Sequence, residues 1–600
     1  MFQDFDSPSS PQSGPPRLAA LRAELTAQGV SGFLIPRADA HQGEYVAPRD
    51  DRLAWLTGFT GSAGFCIALA DIAGVFVDGR YRVQVKNQVA PGVFTPVDWP
   101  EVKPGPWLKT HIKDEGIIAF DPWLHSVSEM DALETALKGS GISLSPSDNL
   151  IDRIWDDQPP PPMGLIKPYP VEFAGESHPD KRNRLAKSLV AAGHNSAIIT
   201  LPDSIAWLLN VRGSDIPRNP VPHCFAILHD DASVDLFAAS AKVDSTLRAH
   251  LGDGIRLCAP DEFGTALANL SGIVRIDPAS CPVWVQLRLA DKGIEIAHGD
   301  DPCILPKACK SDAEIAGTRE AHLRDAAAMC RLLAWFDAAD KSGMSEIDIV
   351  AQLEAHRAAT NALLDISFDT ICGSGPNGAL PHYRVSTDSN RTLRDGDLIV
   401  LDSGGQYFDG TTDITRTLVV GHAGDVEKSC FTRVLQGMIA VSRLRFAKGL
   451  AGMHLDAFAR APLWAAGLDY DHGTGHGVGT YLCVHEGPQR LSRISDVALQ
   501  PGMILSNEPG YYREGAFGIR IENLIVVRDA APVAGGDDRA MHDFETLTFV
   551  PIDTTLIDIT LLTHSERNWI NAYHTACRDK ITPRLDEATA IWLHRATEPI

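Results

Sequence analysis

The chain has 600 residues, 44% of them hydrophobic and 22% charged, and its 77 acidic against 54 basic residues leave a net charge of −23. That length exceeds what one hydrophobic core organises, so two to four domains are expected. The negative charge works against nucleic acid and anionic membrane surfaces, which leaves small molecules or peptides as the expected partners.

The first residues, MFQDFDSPSSPQSGPPR, carry acids and prolines where a signal peptide needs a basic start and an apolar run. Residues 1–15 are therefore expected to form a disordered tail. No apolar stretch of about 18 residues is present to span a bilayer. The eleven cysteines, from Cys66 to Cys577, are scattered and never spaced as Cys-x-x-Cys. They suit small core residues in a reducing compartment, and a cytoplasmic enzyme or binding protein follows.

From residue 16 the pattern becomes periodic. RLAALRAELTAQG (17–29) reads as an amphipathic helix, followed by an apolar strand ending in Leu34-Ile35-Pro36 and then by RLAWLTGFTGS (52–62). Further on, RNRLAKSLVAAG (182–193) precedes AIITLP (197–202) and SIAWLLNVRGS (204–214). Helix, strand, Ala-Trp-Leu and Gly-Ser recur in that order, and the first copy differs mainly by the insertion DAHQGEYVAPRDDR. Two α/β domains of similar topology are predicted, at 16–158 and 163–305. Their boundaries are the run Asp156-Asp157-Gln158 with Pro159 to Pro162, and Asp300-Asp301-Pro302 through Pro306.

The remaining segment, 306–600, opens with Ser311-Asp312-Ala313-Glu314, a capping-box pattern before an alanine-rich helix. After Phe368 come short apolar strands at 398–401, 415–420, 503–505 and 519–527, separated by Gly and Asp. They predict an α+β domain with a mostly antiparallel sheet, extended at its C-terminus by about 540–600.

Five potential metal ligands lie in this segment: Asp402, Asp413, His476, Glu508 and Glu522. Four carboxylates and one imidazole cannot cluster in an interior unless a cation neutralises them. Asp402 ends a strand before Gly404-Gly405, and Asp409-Gly410 reads as a hairpin turn leading to Asp413. A two-residue turn there opposes Asp413 to Gln406, so a bulge or another turn must bring the aspartates together. In DHGTGHGVGTYLCVHEGP, Gly473, Gly475, Gly477 and Gly479 alternate with His472, Thr474, His476 and Val478. An extended strand puts the glycines on one face and both histidines on the other. A phosphate loop is disfavoured, because Val478 occupies the third glycine position of Gly-x-Gly-x-x-Gly. Glu508 ends a strand stopped by Pro509-Gly510, and Glu522 shares a strand face with Arg520 and Leu524. Singly, each has a plain reading: turn aspartates, a structural His472, an Arg520–Glu522 surface pair. Oxygen-rich ligation without thiolate suits hard or borderline ions such as Mn²⁺ and argues against a structural zinc site.

These residues, with LDSGGQYFDGTTDITRT, HGTGHGVG, HEGP, NEPGYY and GIRIEN, resemble the dinuclear-metal pita-bread peptidases, which include methionine aminopeptidase, prolidase and aminopeptidase P. Within that group the chain is most similar to the long, three-domain, cytosolic-type Xaa-Pro aminopeptidases. AHQGEYVAP, GFTGSAG, VDGRY, IAWLLNVRGSD and WINAYHTACRD extend the likeness over nearly the full length, leaving mainly the first 15 or so residues unmatched.

The resemblance implies two creatinase-N-like α/β domains followed by a C-terminal pita-bread α+β catalytic domain. It implies an enzyme that removes the residue before a proline at the second position of a peptide. Two divalent ions per subunit are implied, Mn²⁺ ahead of Co²⁺ or Zn²⁺, with Asp413 and Glu522 bridging, Asp402 completing one and His476 and Glu508 the other. A water shared by two such ions becomes the nucleophile. Glu508 is then the expected proton shuttle, and His485 the partner of the scissile carbonyl. His382 and His472 are expected around the substrate, since a prolyl nitrogen without N–H leaves recognition to shape and histidine contacts. Tyr512 and Arg520 match positions near the pocket, and Arg80 matches a substrate-side arginine of its own or a neighbouring subunit in a homodimer. Prolidase is the nearest rival. Creatinase-type hydrolases and non-catalytic pita-bread binding modules have lost ligands that this chain keeps.

Overall fold

Pro15 and Pro16 in the first turn and Gly29 in the left-handed region bound the helix Gly14–Gln28, proline needing no N–H there and glycine accepting the αL cap. Its Leu18, Leu21 and Leu25 pack with Phe33, Ile35, Val75 and Val77 of the sheet beside it. This is the start of one of two compact units in a computed structural model that describes residues 1–6 and 9–600. One unit runs to Lys307, and the other takes residues 308–600 together with the first six.

The first unit contains two six-stranded sheets. In chain order the strands of the first are Gly32–Pro36, Phe65–Leu69, Ala73–Val77, Thr95–Asp98, Gly116–Phe120 and Ile142–Pro146, and they lie side by side in the order four, three, two, one, five, six. Those of the second are Ser196–Ile199, Phe225–His229, Val234–Phe237, Ile255–Cys258, Ile273–Ile276 and Glu295–His298, in the same spatial order. Strand senses match as well: one–two and two–three antiparallel, three–four, one–five and five–six parallel in both. The recurrence of helix, strand and Ala-Trp-Leu thus reflects two copies of one topology.

In the second unit the Ser311 hydroxyl accepts the Glu314 N–H, and the Glu314 carboxylate accepts the Ser311 N–H at 2.8 Å. This capping box starts the 27-residue helix Asp312–Ala338. A six-stranded sheet runs Arg445–Ala447, Met541–Thr546, Asn523–Asp529, Ile504–Asn507, Gly475–Gly477, Glu486–Leu491, and a three-stranded one runs Ile371–Ser374, Leu398–Ser403, Ile414–Val419. Their ladders are antiparallel. The C-terminal residues are part of this construction: buried Arg416 donates to the Glu522 carbonyl (2.6 Å), the Val550 carbonyl (2.7 Å) and the Tyr573 hydroxyl (2.9 Å).

The expected loose tail over 1–15 is not observed. Gln3 is 2% exposed; its amide donates to the Thr370 carbonyl (3.2 Å) and accepts the Thr370 N–H (2.8 Å), satisfying both backbone groups as a neighbouring strand does. Residues 11–13 form a 3₁₀ turn into the helix at Gly14, so the prolines mark a helix start. Ser7 and Pro8, within the same expectation, lie outside the described residues. Nine of the eleven cysteines are buried.

Candidate metal centre

The hairpin carrying the two aspartates turns one residue earlier than Asp409-Gly410. Tyr407 pairs with Gly410, so Phe408 and Asp409 make the turn, and Asp402 then faces Thr415 across the ladder. Asp413, two residues before Thr415, is the diagonal neighbour of Asp402 on the same face. No bulge is needed; the shifted turn meets the requirement. Gly404 makes the close pairing possible, because a Cβ there lies 1.9 Å from the Thr412 carbonyl oxygen. Gly404→Ala is expected to cost about 3 kcal/mol, the upper end for overpacking, read as a lower urea midpoint together with weaker metal retention.

The glycine-rich segment brings His476 to the same place. A Cβ on Gly475 lies 1.9 Å from the Ser506 carbonyl, and one on Gly477 lies 2.5 Å from that of Glu486, so the strand is flanked by backbone on both sides. His476 Nδ1 donates to the Gly477 carbonyl at 2.8 Å, and a carbonyl can only accept. The other nitrogen, Nε2, sits 3.5 Å from both Asp413 Oδ2 and Glu508 Oε1. Glu508 follows the strand Ile504–Asn507, as expected. The single strand expected over 519–527 is instead two, Phe517–Arg520 and Asn523–Asp529, and Glu522 occupies the break. There its N–H donates to the Thr415 carbonyl (3.1 Å), and its Oε2 accepts from the Thr415 hydroxyl (2.8 Å). Asp413, His476 and Glu522 each place a ligand atom within 4.8 Å of the others.

Burial, then the charges of Asp402 and Glu508, push the Asp413 carboxyl well above the ordinary carboxylate range. Burial and then Asp413, Asp402 and Glu508 do the same to Glu522. Glu508 is raised by burial, with His476 and Arg520 opposing. Two buried carboxylate oxygens, Asp402 Oδ1 and Glu522 Oε1, lack any hydrogen-bond partner. Four crowded carboxylates, two of their oxygens orphaned, and an imidazole among them fit divalent cations in donor chemistry and in charge.

Around the ligands, Arg520 Nη2 donates to Asp402 Oδ2 at 2.6 Å and Nη1 donates to the Tyr512 hydroxyl at 2.5 Å. His472 Nδ1 donates to the Gly473 carbonyl (2.7 Å), and its Nε2 is hydrogen-bonded to the Tyr512 hydroxyl at 3.0 Å. The His485 ring lies 4.4 Å from that of His476, nearly edge to face. His382 is half-buried in the loop that follows the 3₁₀ helix Gly375–Ala379. Arg80 belongs to the other unit, forked onto Asp78 at 2.9 and 2.7 Å. Two supporting residues escaped the sequence reading: Thr415, which holds Glu522, and Ser506, which accepts the His476 N–H (2.9 Å) and donates to Glu508 (3.2 Å). Each lies two positions from a ligand, a same-face spacing in a strand that signals support.

The description "Metallopeptidase family M24" matches residues 316–529, with its C-terminal region at 540–600, and "Creatinase/Prolidase N-terminal domain" matches 17–154 and 157–314. Aminopeptidase P1 of Lotus japonicus is 34% identical over 661 residues, covering 97% of this chain and 99% of its own. The chain belongs to the aminopeptidase P family of M24 metallopeptidases. A probable Xaa-Pro aminopeptidase P of Coccidioides posadasii (strain C735) is 37% identical over 99% of this chain and 95% of its own. Among solved structures, an X-prolyl aminopeptidase of Caenorhabditis elegans, a cytosolic enzyme with a di-nuclear active site, superposes with TM-score 0.92 at 31% identity, covering 98% of this chain and 99% of its own. A prolidase of Pyrococcus horikoshii OT3 gives TM-score 0.50 at 26% identity, covering 62% of this chain and 99% of its own. Two creatinase-N-like domains before a pita-bread domain are thus the family's arrangement as well as this chain's.

Proposed function

We propose that this aminopeptidase P relative hydrolyses the bond between an N-terminal residue and a following proline, with two divalent ions held by Asp402, Asp413, His476, Glu508 and Glu522. The observation that carries the reading is the convergence of Asp413, His476 and Glu522 within 4.8 Å of one another, with Glu508 Oε1 3.5 Å from His476 Nε2 and buried oxygens of Asp402 and Glu522 left unpartnered. Mn²⁺ suits the oxygen-rich donor set. When bound, the ions supply Lewis acidity toward the peptide carbonyl and toward a water.

The chain's own residues supply the remaining steps. Glu508, raised by burial, accepts a proton from the attacking water and delivers it to the departing prolyl nitrogen. His485, against His476, donates to the carbonyl oxygen as charge develops there. The run from Arg520 through Tyr512 to His472 fixes the His472 ring, which serves as a wall for the proline. His382 is proposed on the substrate from its loop, and Arg80 on the substrate side from the resemblance alone. A cytosolic homodimer is proposed on the same ground and from the cytosolic C. elegans neighbour. No helix among the described residues is long and apolar enough to cross a membrane.

The competing prolidase reading is weakened by coverage, since the P. horikoshii prolidase accounts for 62% of this chain. The deciding assay gives the metal-stripped protein a tripeptide Xaa-Pro-Xaa and a dipeptide Xaa-Pro, with and without Mn²⁺. Release of the first residue from the tripeptide, only with metal, is expected. Cleavage confined to the dipeptide makes the enzyme a prolidase.

A further inference from the structure

We propose that Asp39, Asp50 and His223 form a second, separate divalent-cation site in the unit built from the two N-terminal α/β domains. Two of these ligands come from DAHQGEYVAPRDDR, the insertion that distinguishes the first domain from the second. Asp39 follows the strand Gly32–Pro36, Asp50 ends the 3₁₀ turn Pro48–Asp50, and His223 precedes the second domain's strand Phe225–His229. Each places a ligand atom within 4.8 Å of the other two.

The partners of each group show what is missing. Asp39 is 1% exposed; its Oδ1 accepts the N–H groups of His41 (2.9 Å) and Gly43 (3.3 Å), while Oδ2 accepts no hydrogen bond. His223 Nε2 lies 3.2 Å from that Oδ2, yet it too makes no hydrogen bond. At 3.2 Å the two atoms attract but are not aligned as a hydrogen bond, and a buried carboxylate oxygen without an aligned donor is costly. Asp50 turns one oxygen to Arg52 Nη1 (2.9 Å), with Arg49 Nε at 3.9 Å. Arg52 is also forked onto Asp152 at 2.6 and 2.9 Å, so its charge is shared between two carboxylates.

The site is built as well as charged. The His223 N–H donates to Asp215 Oδ2 at 2.6 Å, Lys242 Nζ pairs with the same oxygen at 2.6 Å, and Lys242 also donates to the His223 carbonyl at 3.2 Å. The His223 ring rests 4.6 Å from that of His41. His41 donates Nδ1–H to the Thr200 carbonyl at 3.0 Å, which fixes the ring that backs His223. Two carboxylates and one imidazole suit a borderline ion such as Zn²⁺. The ion joins the two homologous domains, a structural role distinct from peptide hydrolysis.

The test uses the full chain with Asp413→Asn and Glu522→Gln, which weaken the catalytic centre, stripped by chelator and dialysed against Zn²⁺. Elemental analysis is expected to find one zinc retained per chain, and a zinc-dependent rise in melting temperature. Adding His223→Phe, which keeps a ring against His41, or Asp39→Asn is expected to abolish both, with circular dichroism unchanged. No retained zinc in the double variant overturns the site, as does zinc that survives both added substitutions. A histidine NMR titration that shows His223 protonating with zinc present at the same pH as without it also overturns the site, leaving a simple His223–Asp39 ion pair. Peptide hydrolysis by the unsubstituted enzyme is independent of every one of these outcomes.

Discussion

Glu508→Gln is expected to lower kcat on a Xaa-Pro-Xaa tripeptide by about 10²- to 10⁴-fold, the range for loss of a positioned general acid–base. Burial holds the Glu508 carboxyl above its ordinary range, and His476 Nε2 lies 3.5 Å from its Oε1. A carboxylate so placed is positioned to take a proton from the attacking water and return it to the leaving nitrogen. Glutamine keeps the volume, an oxygen donor and the acceptor for the Ser506 hydroxyl, so the fold and a large share of metal binding should survive. It cannot carry the proton. The loss should accordingly fall on kcat more than on KM, because the interaction removed is one made in the transition state. Parallel measurement of metal content separates proton transfer from ligation. Near-normal turnover with full metal occupancy would place the shuttle elsewhere.

Much of this centre was legible because its ligands sit where local pattern is strong. Asp402 ends an apolar run, His476 lies among alternating glycines, and Glu508 precedes Pro509-Gly510; strand ends and glycine crossings are features that sequence periodicity reports. Register was harder. A turn at Phe408-Asp409 instead of Asp409-Gly410 depends on Gly404 meeting the Thr412 carbonyl, a tertiary approach that turn propensity does not encode. Residues 519–527 read as one strand because Ile519, Ile521 and Leu524 to Val527 give a run of strand-forming residues around Glu522, whereas Thr415 draws its backbone and carboxylate away and breaks the ladder. The N-terminal segment failed for the converse reason: its composition is that of a tail, and only the distant Thr370 gives Gln3 its two backbone partners. The repeated α/β topology was visible because the two copies kept the order of their elements, although the insertion in the first hid its own contribution, Asp39 and Asp50 facing a histidine of the second.

Removal of metal should do more than silence the enzyme. Without cations, Asp413 and Glu522 are crowded by burial and by neighbouring carboxylates, so their folded pKa values lie well above those of the unfolded chain. Groups shifted in that direction contribute stability that is fully present below the ordinary carboxylate range and is lost as pH rises through the raised values. The stripped protein therefore gives up stability between mildly acidic and neutral pH. In the loaded protein the same carboxylates are ionised and paired, so that loss is absent, and ion binding must expel protons. The stabilisation gained on loading, about 3 kcal/mol at an ion concentration of about 100 times Kd, is expected to be smaller at mildly acidic pH and to grow toward pH 8. Hydrolysis of the tripeptide should fall to background on stripping and return with Mn²⁺. Melting curves of stripped and reloaded protein across that pH range, with calorimetry in two buffers of different ionisation enthalpy, provide the check. A loading increment that does not change with pH, or binding that releases no protons, would mean that these carboxylates are already neutralised by the protein itself, and the electrostatic argument for the two-ion centre would fail with it.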